Sequence, residues 1–237
     1  KGFLSPVPRT VEITPKLAYL AGLYFAEGSV GNSKSICFSF SLKEVELAKE
    51  TANLLTEIFK VHTHTFNGDH ALVTATTSHP LGRTFLDWFG KSARVKTTPN
   101  WVMFSDFEIR TEFLRGVFEG DGYVTYNGLG KNPAIGFNIA TKEGALQLYT
   151  LLASIGVRAS LRGYIQPEAS FGHGNPIYVV KVLTDYAKLA KMLGVSKPDN
   201  RVSNQETSFF KDGFLWQQVS KIDRHNYDGV VYDLTVN

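Results

Sequence analysis

One cysteine, Cys37, in 237 residues excludes an internal disulfide framework and a cysteine-based zinc site; the residue reads as a buried small hydrophobe. Long apolar runs are missing too. No stretch approaches the roughly 18 uninterrupted residues of a membrane span, and the opening "KGFLSPVPRTVEITP" is too rich in proline and polar residues for a signal peptide. Nor is there a large excess of one charge: 25 Lys and Arg face 22 Asp and Glu, a formal +3, which permits a polyanionic partner without demanding one. A soluble, intracellular chain is expected. Its 43% hydrophobic content can build one large domain or two of about 100 residues.

What is present is a duplication. "YLAGLYFAEGSV" at residues 19–30 and "FLRGVFEGDGYV" at residues 113–124 superimpose about 94 positions apart. The match pairs Tyr19 with Phe113, Gly22 with Gly116, Tyr24 with Phe118, Glu27 with Asp121 and Gly28 with Gly122. Each copy is followed by an alternating apolar run ("SICFSFSL", "AIGFNIAT"), a Lys-Glu pair (Lys43-Glu44, Lys142-Glu143) and a helical stretch ("LAKETANLLTEIF", "ALQLYTLLASIG"). Two further strand-like runs come next, "VHTHTF" and "ALVTATT" around the turn Asn67-Gly68, then "VRASLRGY" and "IYVVKVL" around a longer loop. A last helix closes each unit, "HPLGRTFLDWFG" and "DYAKLAKMLG". The pattern predicts an α+β protein of two αββαββα repeats, residues 1–100 and 101–202, with a tail at 203–237.

The repeated acid has a physical rationale. Thr14-Pro15 starts a helix as N-cap and first-turn proline, and Gly28 is the residue type that ends one in the left-handed conformation, so Glu27 falls in the last turn. Gly22 and Ala26, like Gly116 and Gly120, are four apart and give each helix a stripe of small residues on one face, which allows another backbone close. If the two helices pack about a pseudo-twofold axis, Glu27 and Asp121 emerge together, where they repel each other and oppose the negative helix C-termini. A hard divalent cation such as Mg²⁺ resolves that conflict.

These residues resemble the LAGLIDADG homing endonucleases in their single-chain, two-repeat form: the signature reads "LAGLYFAEG" and "LRGVFEGDG", and the resemblance spans roughly residues 14–200. "KTTPNWV" at 96–102 looks like the lysine-and-proline block between the repeats of intein-type members, and "YDGVVYDLTV" near the C-terminus is similar to the strand block that follows the endonuclease in inteins. No N-terminal splicing Cys or Ser is seen, and Val236-Asn237 stands where a splicing domain shows His-Asn. Self-splicing is therefore not expected, and the chain reads as an intein-derived or free-standing endonuclease with a splicing-domain remnant.

The resemblance implies two β-sheets forming a DNA-binding saddle under the paired helices, and metal-dependent hydrolysis of both strands of a long, asymmetric DNA target by a monomer with Mg²⁺ or Mn²⁺. Glu27 and Asp121 become metal ligands, with the carbonyls of Ala26 and Gly120 as further donors, and Lys96, Lys197, Lys43 and Lys142 become candidate catalytic cations that stabilise charge on the phosphate. Alternation along the hairpins, which fit the major groove, nominates Ser39, Ser41, Thr63, Thr65, Asn138, Arg158, Ser160, Arg162 and Tyr164 as the DNA-facing set. Because the halves differ, the target should be on the order of two helical turns.

Other readings stay open. A non-cleaving DNA or RNA binder on the same scaffold, a regulator or an intron maturase, needs no juxtaposed acids. His62, His64 and His70 lie near one hairpin without a supporting carboxylate and read as strand-surface or DNA-facing residues. Tyr123 and Tyr126 either contact DNA or pack beside their hairpin. In the tail, Trp216, Val219 and Ile222, then Val231, Leu234 and Val236, show strand-like alternation and are expected to pack on the body.

Overall fold

The anticipated order of elements occurs twice. The computed structural model describes residues 7–31, 35–91, 94–127, 132–165, 174–195, 208–219 and 221–230. In the first repeat, helix α1 (Pro15–Glu27) leads into β1 (Gly28–Val30) and β2 (Ile36–Phe40), then α2 (Val45–Phe59), β3 (His64–Asn67), β4 (Leu72–Thr76) and α3 (His79–Phe89). A single-turn helix α4 (Asn100–Met103) stands at the boundary. The second repeat runs α5 (Phe107–Asp121), β5 (Gly122–Asn127), β6 (Asn132–Ile139), α6 (Lys142–Ser154), β7 (Ser160–Ile165), β8 (Pro176–Val182) and α7 (Tyr186–Met192). Each repeat builds a four-stranded antiparallel sheet of the same order, β1-β2-β4-β3 and β5-β6-β8-β7.

Local chemistry accounts for these elements. The Thr14 hydroxyl accepts from the Leu17 N–H at 3.2 Å and Pro15 fills the first turn of α1, while Thr141 caps α6 by accepting from the Gly144 N–H at 3.0 Å. β3 and β4 are joined not by a two-residue Asn-Gly turn but by residues 68–71, closed by the Gly68 N–H donating to the Ala71 carbonyl at 2.8 Å. One face of each sheet is buried under its helices: Ile36, Phe38 and Phe40 in the first, Ile135, Phe137 and Ile139 in the second. Tyr24 of α1 locks this layer, meeting Phe38 edge-on at 5.6 Å and Phe85 at 4.7 Å.

The repeats join where α1 crosses α5. A Cβ on Gly22 would collide with the Phe113 carbonyl and lie 2.8 Å from the Val117 nitrogen; a Cβ on Gly116 would collide with the Tyr19 carbonyl and lie 2.8 Å from the Leu23 nitrogen. These partners are themselves 94 residues apart in sequence, so the contact is pseudo-twofold. Its flanks are not: Phe25 meets Phe113 edge-on at 5.8 Å, whereas Tyr19 donates to Glu119, with Arg115 stacked 3.9 Å above the Tyr19 ring and paired to Glu119 at 2.9 Å.

The tail forms a hairpin, β9 (Ser208–Lys211) and β10 (Phe214–Gln217), around Asp212 and Gly213, both at positive φ. Expected packing of its apolar row is not found: Trp216, Val219 and Ile222 are 54, 71 and 76% exposed. Polar contacts hold the hairpin instead, since Arg158 donates to the Ser208 carbonyl at 2.8 Å and Gln217 to the Tyr149 hydroxyl at 2.7 Å. Val231, Leu234 and Val236 lie outside the described residues. Among the described residues, no helix is long and apolar enough to cross a membrane.

Candidate active site

Below the glycine crossing the two helices stay in contact to their last turns. A Cβ on Gly120 would lie 2.5 Å from the Ala26 Cβ and 3.1 Å from the Glu27 Cγ, so the small pair Ala26 and Gly120 lets the backbones approach, and α1 and α5 end on Glu27 and Asp121. The left-handed cap expected at Gly28 is absent. Gly28 has φ −83° and Gly122 φ −77°, both extended, and each helix passes straight into a strand. Glycine is needed there for space: a Cβ at 28 would strike the Tyr24 ring, and one at 122 the Phe118 ring.

Lys96 closes the site from the segment before α4. It is 6% exposed, and its Nζ donates to the Tyr24 and Phe25 carbonyls at 2.9 and 3.0 Å, joining the Gly28 N–H on Tyr24 and placing a cation at the negative end of α1. Its own carbonyl accepts from the Thr141 hydroxyl at 3.0 Å, which ties the first repeat's helix to the β6–α6 turn of the second. Lys96 and Asp121 line a pocket of about 80 Å³ with Phe25, Ala26, Asn138 and Thr141.

The charges here are under stress. Burial pushes the Glu27 carboxyl up to about 7, Asp121 and Glu44 add repulsion, and Lys96 opposes them. Asp121 is open to solvent on one side, yet burial among the surrounding groups also raises it, with Lys96 again opposing. Lys96 is itself lowered to about 8 by burial, against the pull of Asp121 and Glu27. Two converging carboxyls held above their ordinary range with one cation beside them form a donor set that suits a hard divalent ion. Among the described residues no group of three or more His, Cys, Asp and Glu is arranged to hold a metal. Further ligands would therefore be carbonyls, water or a bound phosphate, and His62, His64 and His70 assemble no metal site.

The other candidate lysines are not drawn in. Lys43 and Lys142 are exposed at the starts of α2 and α6, and Lys96 is the cation acting on both carboxyls. Lys197 lies outside the described residues. Sequence reasoning missed Glu44, whose Oε2 accepts from the Ser41 N–H at 2.7 Å and whose charge reaches Glu27. The repeated Lys-Glu pair was its only signal.

Comparison with known proteins agrees with this geometry. Residues 108–196 match the family model of the LAGLIDADG-like domain. The chain thus carries a LAGLIDADG-like domain. It has the fold of I-DmoI in complex with DNA and Mn, with a TM-score of 0.55 at 15% identity over 78% of this chain and 99% of that one. The N-terminal LAGLIDADG domain of DUF199/WhiA is similar too, with a TM-score of 0.52 at 15% identity, covering 82% of this chain and 89% of that one. Among curated proteins, the ATP-dependent DNA helicase Hel308 of Thermococcus kodakarensis is 31% identical over 97% of this chain, which spans 21% of the helicase.

Below the α1–α5 pair, strand register sorts the candidates nominated to face DNA. In the second sheet, Asn138 pairs with Val179 and Val179 with Arg162, while Lys181 pairs with Ser160 and with Gly136; these share the outward face with Tyr164, opposite buried Phe137 and Val180. Asn138, Ser160, Arg162 and Tyr164 are exposed there as expected. Lys181 joins them unforeseen, and Tyr123, read as either contacting DNA or packing beside its hairpin, lies on the same face through its pairing with Gly136. Tyr123 lies flat over Gly136, where a Cβ would meet its ring, and its hydroxyl is 3.2 Å from the Asn138 carboxamide oxygen.

Four nominations change. Arg158 forms a fork on Asp185 at 2.7 and 2.9 Å besides holding Ser208, so it anchors α7 and the tail and is not a reader of bases. Burial alone would raise the Asp185 carboxyl; the guanidinium overrides it and holds the group below its usual range. Thr65 faces the helices, its hydroxyl 3.1 Å from that of buried Thr74, and Thr63 lies before the start of β3. His64 and Phe66 take the outward places, beside Ser39, which is exposed as foreseen. Ser41 lies past the end of β2 in the turn capped by Glu44.

Proposed function

We propose that this protein is a site-specific endonuclease that cuts both strands of a long, asymmetric DNA target with Mg²⁺ or Mn²⁺. The observation that carries this reading is the convergence of Glu27 and Asp121 beside buried Lys96 at the foot of the α1–α5 contact. A divalent ion bound there supplies an activated water and charge neutralisation at the phosphate. Glu27 and Asp121 hold such ions, with the carbonyls of Ala26 and Gly120 within the same turns. Lys96 stands against the developing negative charge and, through the end of α1, fixes the direction of Glu27. The sheets below place the duplex: Arg162 and Lys181 neutralise phosphates or meet guanine, and the unlike halves require an asymmetric site.

A non-cleaving binder on this scaffold needs the sheets but gains nothing from two destabilised carboxyls facing the duplex. The relation to a helicase and a DNA polymerase of which this chain spans 21% and 15% fits an endonuclease unit of intein type carried within a host polypeptide. The test is cleavage selection from a randomised duplex library in Mg²⁺. Discrete double-strand breaks at one enriched sequence support the reading. Enrichment of a duplex that is bound and never cut contradicts it.

A further inference from the structure

The two outward sheet faces occupy equivalent positions and carry opposite chemistry. Register sets Phe66, paired with Val73 beside Ser39, in the place that Arg162, paired with Val179 beside Asn138, holds in the second repeat. It likewise sets Ala75, paired with Cys37 and His64, where Lys181 is paired with Gly136 and Ser160. Strands β1–β4 contain no Lys, Arg, Asp or Glu, whereas β5–β8 contain Arg162 and Lys181. Phe66 is 52% exposed, and Val73, Ala75 and Cys37 are half-buried on the face opposite buried Phe38 and Thr74. The first face is thus small, uncharged and largely apolar at the very sites where the second is cationic.

We infer that the first repeat reads a thymine-rich half-site by contact with the C5-methyl groups in the major groove, while base-edge hydrogen bonding and phosphate charge are concentrated under the second repeat. The inference rests on the functional reading above and names the sequence class of that substrate. Thymine is the base whose major-groove edge carries a methyl, which alanine-sized and aromatic side chains contact. Guanine set against Phe66, Val73 and Ala75 themselves would bury two acceptors away from the flanking donors Ser39 and His64, and an unmet buried acceptor is costly. Phe66, Val73 and Ala75 therefore select for thymine and against guanine.

The test uses the duplex obtained from library selection, bound by the whole chain in EDTA so that no strand is cut. Arg162→Ala orients the protein, because its loss relaxes base preference in the half-site under the second repeat. Replacing thymine by deoxyuridine in the other half-site should weaken binding by roughly threefold to fivefold per contacted methyl, the value of one buried carbon, and replacement in the second half-site by less than twofold. Phe66→Ser, a change at an exposed position, should remove most of the first-half sensitivity. Equal indifference of both half-sites to deoxyuridine, with specific binding intact, overturns the inference alone. A first half-site selected for guanine does the same. Failure to bind any duplex specifically overturns the functional reading and this inference together.

Discussion

Gly22 and Gly116 stand against each other where α1 crosses α5, with a Cβ on Gly22 placed 3.0 Å from the Gly116 Cα. Each glycine also sits against the carbonyl one turn back in the other helix. Either alanine forces the helices apart, and because the carboxyls of Glu27 and Asp121 hang from the same helices, separation moves the site as well.

Gly22→Ala and Gly116→Ala should each destabilise the protein by about 2 to 3 kcal/mol through overpacking against backbone. Gly174→Ala, where nothing lies within 4 Å although φ is +76°, should cost about 1 kcal/mol for the left-handed conformation alone. Urea denaturation of the three variants checks the ranking.

Lys96→Met should keep specific binding and reduce cleavage by roughly 100-fold to 1,000-fold, the range for removing one preorganised donor from a site of developing negative charge. Single-turnover cleavage alongside gel-shift affinity separates the two effects. A parallel fall in both would mean that Lys96 only holds the fold.

Stability without metal should depend on pH through Glu27. Its folded value of about 7 lies above the group's ordinary value of 4.5, so between those values the folded state binds more protons than the unfolded one. The contribution is full below the unfolded value and is lost as pH rises through the folded one. The melting temperature in EDTA should therefore fall from pH 4.5 toward pH 7.5 relative to Glu27→Gln, and added Mg²⁺ should restore it, more strongly at pH 7.5.

Arg158→Ala should destabilise the second repeat by about 2 kcal/mol, since the largely buried Asp185 loses its guanidinium fork and keeps the residue-158 N–H, and should loosen residues 208–217. Arg162→Ala should leave stability within about 0.5 kcal/mol, as for an exposed surface change, and should lower the salt dependence of DNA binding by close to one counterion. Thermal melts and binding isotherms at several salt concentrations distinguish the two arginines.

Much of this was legible in the sequence because duplication supplies its own control. Tyr19 with Phe113, Gly22 with Gly116 and Glu27 with Asp121 agree in spacing, and the small stripe dictates which faces meet. What stayed hidden depends on partners far along the chain. The 27-position separation of Arg158 and Asp185 leaves no periodic mark, so the arginine reads from sequence as free to contact bases. Thr65 looked outward because strand parity is fixed by the pairing of His64 with Ala75, which the intervening loop sets. The tail's alternation mimics a buried strand, and only its surroundings show the row to be exposed. Phe25 opposite Phe113, against Tyr19 opposite Glu119, shows how far the halves have diverged on either side of a symmetric crossing.

The central claim is that Glu27 and Asp121 form one metal-dependent cutting site. Its most direct test is cleavage of the selected duplex in Mg²⁺ by the unmodified chain, Glu27→Gln and Asp121→Asn, with affinity measured on the same DNA. The account predicts double-strand cleavage by the unmodified chain, none by either variant, and binding within a few-fold for all three, since each change removes a ligand and leaves the sheet faces untouched. Normal double-strand cleavage by either variant would contradict it.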